Sequence, residues 1–164
     1  MATKGNKSLN KGIPTLKDAF VVIVKTEWNA AIVNKLEAGA KKILKEAGVG
    51  FRVLTVPGAV EIPFIIKAYT ESIQSPADAF IALGTVIRGD TPHFEYVCRA
   101  VTDGIVQLNM LLPVPTIFGV LTVDNQQQAD ERIGGRHGHK GEEAAITALK
   151  MISLLKSFKQ PTAP

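Results

Sequence analysis

The segment Gly84-Thr85-Val86-Ile87-Arg88-Gly89-Asp90-Thr91-Pro92-His93-Phe94-Glu95 gathers residue types that perform anion and proton chemistry. An apolar run, Phe80-Ile81-Ala82-Leu83, gives way to a glycine-punctuated stretch carrying Arg88, Asp90 and Thr91. Thr91 then suits an N-cap and Pro92 the first helical position, with His93 directly behind. A strand that feeds a helix N-terminus makes an anion site, because free backbone N–H groups and the helix dipole both favour negative charge. His93 places a proton carrier beside that site. A lone histidine at a helix start is also an ordinary surface residue, but the company of Arg88 and the glycines points to function.

Three further places carry chemistry or its bland equivalent. Arg132 ends a short helical stretch, where it either answers its own helix dipole or offers a planar fork to phosphate oxygens. Trp28-Asn29 follows the first apolar run, so the indole either caps the core or stacks on a flat heterocycle. Glu61 is a first-turn acid after Pro57-Gly58, or an acceptor for substrate hydroxyls. The glycine-rich stretch 134–141 holds His137 and His139, but no Cys or further His completes a metal set, so it reads as a hinge or an anion-facing loop. Neither a GxGxxG nor a phosphate-binding P-loop is present, and no serine sits in a nucleophile elbow.

The elements that must position these residues alternate. Short, continuously apolar strands are expected at 19–25, 51–56, 79–85 and 115–122. Helices are expected at 28–47, 61–72, 92–111, 125–133 and 142–158, with Gly48 ending the first and Pro63 tolerable only in a first turn. Apolar strands alternating with amphipathic helices predict an α/β protein: a parallel four-stranded sheet covered on both faces. Ligands in such folds bind at the carboxyl ends of the strands, where the unusual residues cluster. The stripe Val97, Val101, Ile105 and Leu108 on the long helix faces either its own sheet or another copy.

The chain has 164 residues, of which 46% are hydrophobic, enough for one domain with a full core. Its net charge is +4, and Lys4, Lys7, Lys11 and Lys17 all precede the first acid, Asp18. The remainder is balanced at 15 basic and 15 acidic residues, which argues against a nucleic-acid surface. Residues 1–17 read as a flexible basic arm, 18–158 as the domain and 159–164 as a tail. A single cysteine, Cys98, allows no internal disulfide and fits a reducing compartment. Neither a signal-peptide pattern nor a membrane-length apolar run appears, so the expectation is a cytoplasmic protein that binds no membrane.

Several separated motifs together resemble one family. Trp28-Asn29, Val56-Pro57-Gly58-Ala59-Val60-Glu61-Ile62-Pro63, Leu83 through Phe94, Phe118-Gly119, and Glu131-Arg132 with Lys140-Gly141 are similar, in order and spacing, to 6,7-dimethyl-8-ribityllumazine synthases. The resemblance spans about residues 19–158. It implies a three-layer, flavodoxin-like fold and the penultimate step of riboflavin biosynthesis. In that step 5-amino-6-(D-ribitylamino)uracil condenses with 3,4-dihydroxy-2-butanone 4-phosphate, releasing phosphate and water, with no cofactor and no metal. Two other readings stand beside it, an archaeal-type riboflavin synthase on the same scaffold and a non-catalytic flavin-binding or cage protein.

By the same resemblance, His93 is the proton carrier and Trp28 stacks on the pyrimidine. Ala59, Val60 and Glu61 meet the ribityl chain, and the backbone of Thr85, Val86 and Ile87 reads the uracil edge. Asp90 and Thr91 hold phosphate through main-chain N–H groups, with Arg132 supplying charge. Phe118 comes from a neighbouring subunit, and Asn29, Lys140 and Glu143 match further site positions. Asp90 stands where a small neutral residue is common, so its carboxylate is expected to turn away. The partners implied are small-molecule substrates, a homopentamer built further into an icosahedral shell, and a riboflavin synthase.

Overall fold

The computed structural model describes residues 9, 11–16, 18–72 and 76–158. Most of the expected arm 1–17 and all of the tail 159–164 lie outside the described residues. The main sheet has four parallel strands, β1 (Phe20–Thr26), β2 (Gly50–Val56), β3 (Ala79–Ile87) and β4 (Thr116–Val123), in the order β2-β1-β3-β4. Five helices accompany them: α1 (Ala30–Glu46), α2 (Ile62–Glu71), α3 (His93–Leu111), α4 (Gln126–Asp130) and α5 (Lys140–Phe158). The arrangement is the expected three-layer, flavodoxin-like α/β fold.

The two central strands are apolar on both faces because each face has its own helical layer. Val21, Ile23, Ile81 and Leu83 pack with Leu36 and Leu44 of α1 and Leu149 and Ile152 of α5. Val22, Val24, Phe80 and Ala82 pack with Ile62 and Ile66 of α2 and Val101, Ile105 and Leu108 of α3. Val101, Ile105 and Leu108 of the α3 stripe therefore face their own sheet, and Val97 stands outside that core. Helix α1 closes on Gly48, whose φ of 72° is the left-handed conformation glycine adopts without strain. The Gly48 N–H donates to Lys45 O at 3.0 Å and the Val49 N–H to Leu44 O at 2.9 Å, satisfying carbonyls the helix would leave open. Helices α1 and α5 approach so closely that a Cβ on Gly141 would lie 2.0 Å from Leu36 O.

The structure corrects several expectations. Residues 59–61 form a separate 3-10 turn ahead of α2, which starts at Ile62 with Pro63 in its first turn. Thr91 is not the cap of α3; Pro92 is, because its carbonyl takes the Glu95 N–H at 3.1 Å and α3 begins at His93. Helix α4 ends at Asp130 rather than 133. The chain there turns into a hairpin of β5 (Ile133–Gly135) and β6 (Gly138–His139), where its glycine content predicts a loop. Positive φ at Gly134 (116°) and Gly138 (78°) makes that bend available.

Candidate active site

All four parallel strands end on one side of the sheet, and the strand order reverses between β1 and β3. Connections leave that junction in opposite directions, which opens a crevice above it. Parallel pairing between β1 and β2 continues past the strand ends: the Glu27 N–H donates to Val56 O at 2.8 Å and the Trp28 N–H to Pro57 O at 3.2 Å. Trp28 is thereby held beside residues 57–61. Asn29 then turns the chain into α1 with φ 58° and ψ 38°, the left-handed region that asparagine tolerates better than other non-glycine residues. Its Nδ2 donates to Thr85 O at 2.7 Å, tying the start of α1 to β3.

A cavity of about 640 Å³ occupies this crevice, within the range that encloses small organic ligands. Trp28 and Asn29 line it, as do Ala59, Val60 and Glu61, the β3 end Thr85, Val86 and Ile87, and Thr91 and His93. Ten of the sequence-derived site residues therefore converge. Trp28 is 72% exposed, so its indole stands at the cavity rather than capping the core. The N-cap position of α3, Pro92, offers no side-chain acceptor to the helix's first N–H groups, and the Glu95 N–H goes to Pro92 O at 3.1 Å. Gly58 lies against the Glu61 carboxylate, since a Cβ there would fall 2.9 Å from Oε2.

Six lining residues were not singled out from sequence: Thr26, Pro57, Gly58, Gly89, Phe94 and Val97. Most carried a signal. Thr26 ends β1, Pro57-Gly58 is the turn after β2, and Val97 lies one helical turn from His93, on the same face.

Arg88 has a different job from the one its position in the loop suggested. Its Nε donates to Asp124 Oδ1 at 2.8 Å, its Nη1 pairs with Glu95, and its guanidinium lies 4.2 Å from the centre of the Phe94 ring. Hydrogen bonding to Arg88 holds the Glu95 carboxyl below its ordinary pKa; Arg88 and then Gln128 do the same for Asp124.

Five expected site residues do not line this cavity: Asp90, Phe118, Arg132, Lys140 and Glu143. Asp90 is exposed. Phe118, 41% exposed on the edge strand β4, pairs in register with Ala82, three residues before Thr85 on β3. Arg132 Nη1 donates to Gln128 O at 2.6 Å, the ordinary helix-end role. Lys140 Nζ donates to Glu143 Oε2 at 2.7 Å. Phe118 lies on β4, Arg132 follows α4, and Lys140 and Glu143 open α5. The stretch 134–141 is not an open anion-facing loop either, because Glu131 takes Arg136 at 2.9 Å and lies 3.5 Å from His137 Nε2. The His139 ring lies against Gly39, and its Nδ1 accepts the Glu142 N–H at 3.3 Å.

These features define a flavodoxin-like α/β protein with a ligand-sized cavity at the carboxyl ends of its strands and a histidine at a helix N-terminus lining it. The chain belongs to the 6,7-dimethyl-8-ribityllumazine synthase family, whose model matches residues 18–156. It is 46% identical over 144 residues to the 6,7-dimethyl-8-ribityllumazine synthase of Parabacteroides distasonis, covering 86% of this chain and 89% of that protein. It is 48% identical to that of Porphyromonas gingivalis, over 88% of this chain and 90% of the relative. Against that of Cytophaga hutchinsonii it is 43% identical over 93% and 96%.

Proposed function

We propose that this chain is the transferase that condenses 5-amino-6-(D-ribitylamino)uracil with 3,4-dihydroxy-2-butanone 4-phosphate to give 6,7-dimethyl-8-ribityllumazine, the penultimate step of riboflavin biosynthesis. The observation that carries the reading is the cavity itself. It joins an exposed indole, a carboxylate and an imidazole at an uncapped helix start, in a family whose named members bear this activity. No observation favours a riboflavin synthase or a non-catalytic cage.

The 5-amino group attacks the ketone and water leaves as the imine forms. Phosphate is then eliminated, and the ribityl-bearing nitrogen closes the second ring with loss of another water. Each step needs a proton moved at short range, and His93 is the side chain placed to do it. Trp28 stacks on the pyrimidine, Glu61 accepts from ribityl hydroxyls beside Ala59 and Val60, and the backbone of residues 85–87 reads the uracil edge. Thr91 and the first N–H groups of α3 receive the phosphate. Most of the rate comes from holding two reactive molecules in register.

The separation of Phe118, Arg132, Lys140 and Glu143 from the cavity supports a site shared between copies. The cavity lies over the ends of β1, β2 and β3, while Phe118 lies on the edge strand β4 and Arg132, Lys140 and Glu143 follow it in the chain. Two different surfaces that meet head to tail generate a ring. A ring also gives a partner to the apolar side chains left outside the core, Phe64 at 73%, Tyr96 at 72%, Met110 at 81% and Leu111 at 75% exposed. The reading is a homopentamer, built further into an icosahedral shell through the bent 134–138 hairpin, working in the cytoplasm and passing its product to a riboflavin synthase. Among the described residues no helix is long and apolar enough to cross a membrane.

A steady-state assay with both substrates, following lumazine absorbance, tests the activity; no turnover above the uncatalysed condensation refutes it. Sedimentation tests the ring, and a fully active monomer refutes the shared site.

A further inference from the structure

We propose that Arg88 is a positioning residue for this reaction, latching the His93 turn of α3 onto the end of β4. The inference rests on the assignment of His93 and the α3 N-terminus to the site. Arg88 follows the last residue of β3, and its N–H donates to Val123 O at 2.9 Å, one rung beyond the strand pairing. The side chain then makes three contacts at once. Nε bonds Asp124, which follows β4; Nη1 bonds Glu95, two residues after His93; and the guanidinium face covers Phe94, the residue next to His93.

Phe94 lines the cavity and Arg88 does not, so Arg88 acts through its neighbours. The need for such a latch is visible in the helix start. No side chain caps α3, and Gly89 lies in the loop between Arg88 and the helix. A first turn left open for a ligand must be placed by something other than a cap. The latch also continues away from the cavity. Gln128 Nε2 donates to Asp124 Oδ2 at 3.3 Å, Gln128 Oε1 accepts the Asp124 N–H at 3.0 Å, and Gln128 O accepts from Arg132 at 2.6 Å. One bonded path thus joins the turn that bears His93 to Arg132. Only a guanidinium uses two edges and a face together; an ammonium cannot.

The test is kinetic, on the assembled enzyme, with Arg88→Met, Arg88→Lys and Asp124→Asn. A misplacement of about 1 Å at a reacting group costs on the order of 10²-fold in rate. Arg88→Met is expected to lower kcat by about that factor, with Lys and Asp124→Asn intermediate. KM for the butanone phosphate should rise and KM for the pyrimidine should stay near wild type, because residues 28, 59–61 and 85–87 are untouched. The side chain is 44% exposed, so the melting temperature should be unchanged. Added to His93→Gln, Arg88→Met should cause little further loss, since its effect passes through the same turn. The inference is overturned by wild-type kinetics in Arg88→Met, by both KM values rising together with a fall in melting temperature, or by a full multiplicative loss on top of His93→Gln. An inactive wild-type protein would overturn the functional assignment as well; an active one with indifferent Arg88 variants overturns this inference alone.

Discussion

Asn29 is the one non-glycine residue with positive φ among the described residues, and it stands between the indole at the cavity and the first turn of α1. Two substitutions separate its two jobs. Glycine keeps the left-handed backbone and loses the Nδ2 bond to Thr85 O; alanine loses both. The lost hydrogen bond is worth about 1 kcal/mol, rising to about 1–3 kcal/mol if the Thr85 carbonyl finds no water. Forcing alanine into the left-handed region adds roughly 1–2 kcal/mol. Glycine instead gives the unfolded chain about 0.4–1 kcal/mol of extra conformational freedom. The expected order of stability is wild type, then Asn29→Gly lower by about 2 kcal/mol, then Asn29→Ala lower by a further ~1 kcal/mol. Urea unfolding at one fixed protein concentration measures the order, concentration being held because assembly contributes to stability. If alanine equals or exceeds glycine, backbone conformation is not what asparagine supplies here. If both match wild type, the bond to Thr85 contributes nothing.

Arg132→Ala should raise KM for the butanone phosphate by about 30-fold or more, the low end of a lost charge-assisted contact worth ~2–5 kcal/mol, and leave the pyrimidine KM alone; equal KM changes would remove Arg132 from the phosphate. Trp28, the only tryptophan, should lose fluorescence on binding riboflavin or the lumazine, and unaltered emission at saturation would place the ligand elsewhere. Gly141→Ala should cost about 1–3 kcal/mol or more in denaturant unfolding, because the new methyl meets the Leu36 carbonyl rather than a side chain that can turn aside; wild-type stability would contradict the close helix crossing. Burial pushes the Glu37 carboxyl up, but Lys25 and Lys41 together outweigh it and hold it below its ordinary value. A folded-state pKa below the unfolded one stabilises fully at neutral pH, and that contribution disappears as pH falls through the folded value. Glu37→Gln should therefore flatten the acid side of the stability–pH curve, and an unchanged acid limb would refute the pairing.

The sequence by itself determined the layers. Valine- and isoleucine-rich runs of strand length with no polar face, bounded by turn residues, fit strands covered on both sides, and Val101, Ile105 and Leu108 recur at the spacing that puts them on one face of a helix. Gly48 and Pro63 marked helix ends because their backbone limits are local. The stretch 84–95 was legible for the same reason: strand, loop, helix start and histidine are neighbours in the chain.

What tertiary structure decided was every choice between two faces or two partners. Trp28 suits core and cavity equally by composition; only the pairing of 27–28 with 56–57 carries it to the cavity. Arg88 reads as an anion binder, but the end of β4 brings Asp124 to it from a distant part of the chain. The α3 stripe had two destinations until the strand order put the sheet behind it. Arg132, Lys140 and Glu143 are expected at the site by resemblance, and only the fold shows that they, like Phe118, do not line this chain's own cavity. Periodicity and capping arise from contacts a few residues apart and are written in local order. Strand order, and hence which loop ends meet, is set by the packing of the whole chain.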